Sequence, residues 1–247
     1  MNSVIRLKYN GEHFAARVKE TIPNGYILEY GIGKISSITK NYETWYFANN
    51  EVAEDVIIEP VNYDAAFILP ITVEQTIDGE ETFVYLGRET MELKGKDCGT
   101  FDSFGGRVDS QDNNDPLRTA CREFEEEGFT KYTLGLTKEA LYEYVPRHLD
   151  KRLQIGTLVM YIVRFSKPEM YQFMQRYHQV YHAIPRAPEC EGLHEKDEIA
   201  KVNLINLLNI THKARKTVSG EVIDLNGNIT ERDIVIRDVL KHLLFYY

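Results

Sequence analysis

The segment from Asp115 to Gly128, DPLRTACREFEEEG, constrains this chain more than any other stretch, because it has the marks of one short helix carrying Glu123, Glu125, Glu126 and Glu127. Asp115 suits the N-cap, Pro116 the first helical position and Gly128 the stop. Leu117, Ala120, Cys121 and Phe124 recur at i, i+3, i+4 and i+7, which predicts a single apolar stripe against a core. Glu123, Glu126 and Glu127 then project together from a different flank. Two unit charges about 4 Å apart repel by roughly 4 kcal/mol at an effective dielectric near 20, a large share of a domain's net stability. Arg122 offsets part of this by reaching Glu126 at i+4. A divalent cation offsets it directly, and carboxylate oxygens are the ligands that hard Mg²⁺ or Mn²⁺ prefers. The alternative is a solvated acidic helix face.

The 247 residues are enough to bury a core, and the 43% hydrophobic content fits a globular protein. A net charge of −9 disfavours a large nucleic-acid footprint, which needs a basic face to displace counterions. The cluster His212, Lys213, Arg215, Lys216 reads as a solvated loop, with phosphate contact as the alternative. No apolar run reaches the roughly 18 residues of a membrane span. Arg6, Lys8 and Glu12 interrupt any signal-peptide h-region. Cys98, Cys121 and Cys190 are odd in number and lack metal-ligand spacing, so a reducing compartment is the simpler reading. The expectation is a cytoplasmic protein with no membrane partner.

Asn10–Gly11 and Asn24–Gly25 flank alternating apolar segments and predict hairpins, so residues 1–61 read as a small β-rich N-terminal domain. Dimer contact and cover for an active site are its two candidate roles. Residues 62–247 form the second block. It opens with AAFILPITV, turns at Asp78–Gly79 and returns as TFVYLG, two paired strands. Further expectations are a strand over 155–165, a helix over 168–181, an acidic loop over 189–198 and a strand-like IAKVNLI. Thr230 with Asp233 predicts a capping-box-like start for a final helix, ERDIVIRDVLKHLL. This succession suggests an α+β or mixed α/β sandwich.

GGRVDSQDNNDPLRTACREFEEEGF, residues 105 to 129, resembles the Nudix box, G-x5-E-x7-R-E-U-x-E-E-x-G-U with U aliphatic or aromatic. Gly106 matches the opening glycine, and Arg122, Glu123, Phe124, Glu126 and Glu127 match the R-E-U-x-E-E core in register. The loop between Gly106 and Arg122 is two residues longer than the pattern, so the first acidic position falls on Asp112 or on Asp115. Gly128 follows Glu127 one residue early. The resemblance implies a Nudix-type α/β (α+β) sandwich with a mixed sheet between helices, beside the β-rich N-terminal domain. It implies hydrolysis of a pyrophosphate linkage in a nucleoside diphosphate substrate with Mg²⁺ or Mn²⁺. Glu123, Glu126 and Glu127 would hold the metal, Arg122 would orient a glutamate, and the Gly106 loop would supply backbone contacts.

EGLHEKDEIAKV, from Glu191, is similar to a loop of ADP-ribose and ADP-sugar pyrophosphatases of this family, in which a glutamate contributes to water activation. Glu195 falls on that position, and surface charge before a strand is the competing account. Tyr144 and Pro146 sit where subgroups differ and do not separate ADP-ribose from dinucleoside polyphosphates. Arg88 is a candidate fork donor to the pyrophosphate, and Asp102 an acidic residue before the glycine pair. Phe104, Trp45 and Tyr144 are candidates to stack on a base, although aromatics more often fill cores. Dinucleoside polyphosphates or capped RNA are the alternative substrates, and a nucleotide sensor without catalysis is the alternative class. A homodimer through the N-terminal domain is a further expectation drawn from the resemblance.

Overall fold

The computed structural model describes residues 3–9, 12–30, 34–41, 44–47, 52–60, 63–77, 79–90, 97–185, 194–211, 217–245 and 247. Asn10–Gly11, Asp78, most of the acidic loop and the basic cluster at 212–216 lie outside the described residues. The chain divides into two compact units, Met1–Asn62 and Tyr63–Tyr247.

The first unit is a closed antiparallel barrel of β1 (Ser3–Tyr9), β2 (Glu12–Ile22), β3 (Gly25–Tyr30), β4 (Lys34–Asn41), β5 (Thr44–Phe47) and β6 (Val52–Pro60). Each strand pairs with the next and β6 returns to β1, which leaves no open edge. Period-two alternation turns Ile5 and Leu7, then Ala16 and Val18, inward onto Leu28, Ile38 and Ala53. Trp45 belongs to this unit, with Tyr26 stacked on it at 6.0 Å and Lys40 over its ring at 5.6 Å.

In the second unit a mixed sheet lies between two groups of helices. Its strands run in the order β11 (Leu149–Ile155), β12 (Leu158–Arg164), β7 (Ala65–Thr76), β8 (Gly79–Glu89), β13 (Lys196–Asn203), β14 (Thr217–Ile223), β15 (Ile229–Val235). The short β10 (Phe104–Arg107) adds to β7, and β9 (Phe101–Asp102) to β8. β12 runs parallel to β7, whereas β7 and β8 are antiparallel. The unbroken apolar runs of β7 and β12 follow from burial on both faces. Ala66, Ile68, Val159, Tyr161 and Val163 point to a core shared with α1 (Pro116–Gly128), α3 (Lys138–His148) and α4 (Lys167–Ala183). Phe67, Leu69, Met160 and Ile162 point to the opposite core, with α5 (Leu204–Thr211) and α6 (Asp238–Leu244). The expected sandwich with a mixed sheet between helices, together with a β-rich N-terminal portion, is what the fold shows. Among the described residues no helix is long and apolar enough to cross a membrane.

Four local expectations need correction. The final helix is only Asp238–Leu244, and the stretch before it is strand β15. Asp224 accepts from the N–H groups of Asn226 and Asn228, Gly227 takes φ +80, and the resulting turn returns the chain as a hairpin with β14. Ladder pairing there outweighs a capping-like Thr-x-x-Asp pattern. The expected strand over 155–165 breaks at Gly156, φ +55, into β11 and β12. The last residues of the acidic loop, Lys196 to Glu198, belong to β13 and are buried. Gly128 remains helical, and Phe129, φ +50, makes the left-handed exit. A left-handed non-glycine residue costs roughly 1–2 kcal/mol, which the burial of this ring against Tyr177 at 5.3 Å offsets.

Candidate active site

The acidic helix starts as its sequence predicts. Asp115 accepts from the Leu117 N–H at 2.9 Å and Pro116 occupies the first turn. Its apolar stripe buries Ala120, Cys121 and Phe124, which fixes the opposite flank toward β10. The two glycines of β10 meet that flank. Gly105 N–H donates to Glu127 at 2.8 Å, and a Cβ on Gly106 would lie 2.5 Å from the Glu123 carboxyl carbon. Both positions therefore serve by close approach, with Gly106 also paired to Ala66 in the sheet.

Arg122 is the hub of the helix. Its Nε and Nη2 donate to the two oxygens of Asp112 at 3.2 and 3.0 Å, a bidentate fork, and Nη2 also donates to the Arg107 carbonyl at 3.1 Å. Nη1 bridges Glu123 at 2.8 Å and Glu126 at 3.1 Å. Asp112 ends the 3-10 turn Ser110–Asp112 and is further held by the Thr119 hydroxyl at 2.7 Å and the Asp109 N–H at 2.9 Å. Burial would raise its pKa, but these donors outweigh burial and hold the carboxyl below its ordinary value. Asp112, not the N-cap Asp115, is thus the acidic partner of Arg122; Asp115 instead accepts from Tyr142 at 2.7 Å.

Glu123 is pushed up to about 7, first by burial and then by the charges of Glu126 and Glu195, against the opposing pull of Arg122. Burial likewise raises Glu126 and Glu195, and each also feels other carboxylates of the group: Glu195 feels Glu89 and Glu126. The helix flank and the start of β13 therefore share one field of under-compensated negative charge. Hard oxygen donors in such a field suit Mg²⁺ or Mn²⁺. Among the described residues, no three His, Cys, Asp or Glu side chains converge at coordinating distance, and the Arg122 guanidinium does part of the neutralising. Two cavities flank Arg122. One of about 280 Å³ is lined by Asp112, Arg118, Lys138 and Tyr142, and the other, about 210 Å³, opens on Glu125, Glu126, Lys131 and Lys138.

Glu127 behaves differently from its neighbours. It is 2% exposed, and Lys196 Nζ lies 3.5 Å from its second oxygen. Lys196 also donates to Glu89 at 2.5 Å, and Arg237 joins Glu89 at 3.0 Å to Asp102 at 3.2 Å and Asp97 at 3.2 Å. Sequence reading missed Lys196, Glu89 and Arg237. Their partners lie on strands distant in the chain, Lys196 and Glu89 being 107 positions apart, so no local spacing marks them.

Three expected substrate contacts have protein partners of their own. Arg88 already spends its fork on Asp197 at 2.6 Å and Glu198 at 3.1 Å, and Glu198 also pairs with Arg232. Asp102 is 1% exposed beneath Arg237. Phe104 is fully buried between Phe124 at 5.0 Å and Phe173 at 5.8 Å, where its ring packs the core. Tyr144 stacks on His148 at 3.8 Å and on Phe165 at 5.0 Å, and Pro146 lies inside α3.

No protein-family model matches the chain, and no curated protein matches it. Among solved structures, the chain is similar to a mutT/nudix family protein from Listeria innocua, at 13% identity over 61% of this chain and 83% of that one, with a TM-score of 0.33.

Proposed function

We propose that the second unit is a Nudix-type hydrolase that uses Mg²⁺ or Mn²⁺ to cleave the pyrophosphate linkage of a nucleoside diphosphate compound. ADP-ribose or a related nucleoside diphosphate sugar is the proposed substrate, giving a nucleoside monophosphate and a sugar phosphate. The observation that carries this reading is the Arg122 hub. The R-E-F-x-E-E run resembles the Nudix core, and in the fold its arginine is clamped by Asp112 while two of its glutamates face the same charge field as Glu195.

Glu123 and Glu126 would hold the cation, with Glu195 beside them. When bound, the ion would neutralise phosphate charge and favour attack by water. Arg122 keeps the two glutamates aligned from behind, since its remaining donors are fixed on Asp112 and the Arg107 carbonyl. Glu195 projects from the turn entering β13; its backbone carbonyl accepts from the Thr90 N–H at 2.9 Å, which anchors the turn while the carboxylate is left to accept a proton from water. Lys138 and Lys131, lining the cavity that opens on Glu126, supply positive charge along the approach.

A substrate panel of ADP-ribose, NADH, diadenosine polyphosphates and capped RNA, read by product mass with Mg²⁺ and with EDTA, tests the reading. Nucleoside monophosphate released only with Mg²⁺ supports it. Product from capped RNA alone moves the substrate to decapping, and binding without any product makes the unit a sensor.

A further inference from the structure

We infer that Lys196 is a built-in cation for Glu127, so that Glu127 takes no divalent ion and the metal-holding pair is Glu123 and Glu126. This rests on the metal-dependent reading proposed above and refines it.

The three box glutamates are not equivalent. Glu127 has a separate partner on each oxygen, a hydrogen bond from the Gly105 N–H at 2.8 Å on one and an ion pair with the Lys196 ammonium at 3.5 Å on the other. Glu123 and Glu126 instead share one nitrogen of Arg122. Exposure divides them in the same way: the side chain of Glu127 is 3% exposed, against 13% for Glu123 and 37% for Glu126. A divalent ion at Glu127 would have to strip a buried carboxylate of both partners and sit beside an ammonium of like charge.

The lysine is also built in rather than incidental. Its stem crosses the face of β8 at Gly87, where a Cβ would lie 2.9 Å from Lys196 Cγ. Glu89 on the same strand holds the ammonium at 2.5 Å, so charge pairing on two sides compensates its removal from water. Because Lys196 directly follows Glu195, the same clamp sets where Glu195 leaves the sheet relative to α1. Lys196 is thus a positioning residue, joining the start of β13 to the end of the acidic helix.

The test has two arms, both on the full chain. In Mn²⁺ calorimetry, Glu126→Gln is expected to weaken binding by about tenfold or more, and Glu127→Gln to leave it unchanged. In EDTA, thermal melting is compared for Lys196→Met and for Lys196→Met with Glu127→Gln. The second change is expected to restore part of the melting temperature, or the folding, that the first removes, because it discharges the stranded carboxylate. Loss of Mn²⁺ affinity in Glu127→Gln while Glu126→Gln behaves as expected, or purely additive destabilisation in the double variant, overturns the role of Lys196 and leaves the metal-dependent reading standing. A parent chain that binds no Mn²⁺ overturns both.

Discussion

Gly106 lies directly beneath the carboxylate of Glu123: a methyl group at its Cα would sit 2.5 to 2.6 Å from the carboxyl carbon and both oxygens. The backbone there is ordinary strand, so the requirement is for space rather than for an unusual φ. Gly106→Ala is expected to push Glu123 off its position and lower turnover on the order of a hundredfold, since an ångström of misplacement costs about that much. The stability cost is expected to be small, because the added methyl meets only the far end of the Glu123 side chain, which can move aside. Steady-state rates beside a melting curve check the pair of effects; unchanged rates would show that the Glu123 position does not matter for turnover.

Asp112→Asn removes the charged half of the fork on Arg122. Both side chains are buried, at 9% and 3% exposure, so screening is weak. The expected loss is about 3 kcal/mol, seen as a fall of roughly 6 to 12 °C in melting temperature. Asp115→Asn, which keeps a capping oxygen, should fall far less. Equal losses in the two variants would contradict the assignment of Asp112 as the partner of Arg122.

The raised Glu123 carboxyl gives stability a definite pH dependence. With a folded value of about 7 against an ordinary 4.5, the folded state keeps a proton that the unfolded chain has released. Its contribution is therefore fully present below about pH 4.5 and is lost as pH rises through 7, by on the order of 3 kcal/mol. Metal-free protein should melt lower at pH 8 than at pH 5. Millimolar Mg²⁺ should recover more at pH 8, where the carboxylate is charged. A Mg²⁺ shift of the same size at both pH values would count against Glu123 as a ligand.

Glu126→Gln separates function from stability. The residue is partly exposed and contributes a negative charge to a crowded flank, so its neutralisation is expected to abolish most turnover while barely changing, or raising, the metal-free melting temperature. Normal turnover would remove Glu126 from the metal-holding set.

What was legible in the sequence is what local chemistry decides. The N-cap at Asp115, the apolar stripe through Phe124 and the doubly buried strands β7 and β12 each follow from residues adjacent in the chain. The Arg122–Glu126 contact also follows from helical spacing. The failures occur where distant partners decide. Residues 229–235 become a strand because β14 pairs with them, and Phe129 turns left-handed because its ring is wanted in the core. The pairing of Arg88 with Asp197 and Glu198 of β13 is likewise invisible to local spacing. The ion pair of Glu127 with Lys196 joins two segments that only the folded sheet brings together.

The proposed role of the flank carrying Glu123 and Glu126 is to hold a divalent ion against a nucleoside diphosphate. Anomalous diffraction from crystals grown with Mn²⁺ and ADP-ribose, collected at the manganese edge, tests it most directly. A peak is expected within bonding distance of Glu123 and Glu126 oxygens, with the diphosphate on its open side. Nucleotide density without any manganese peak on that flank would contradict it.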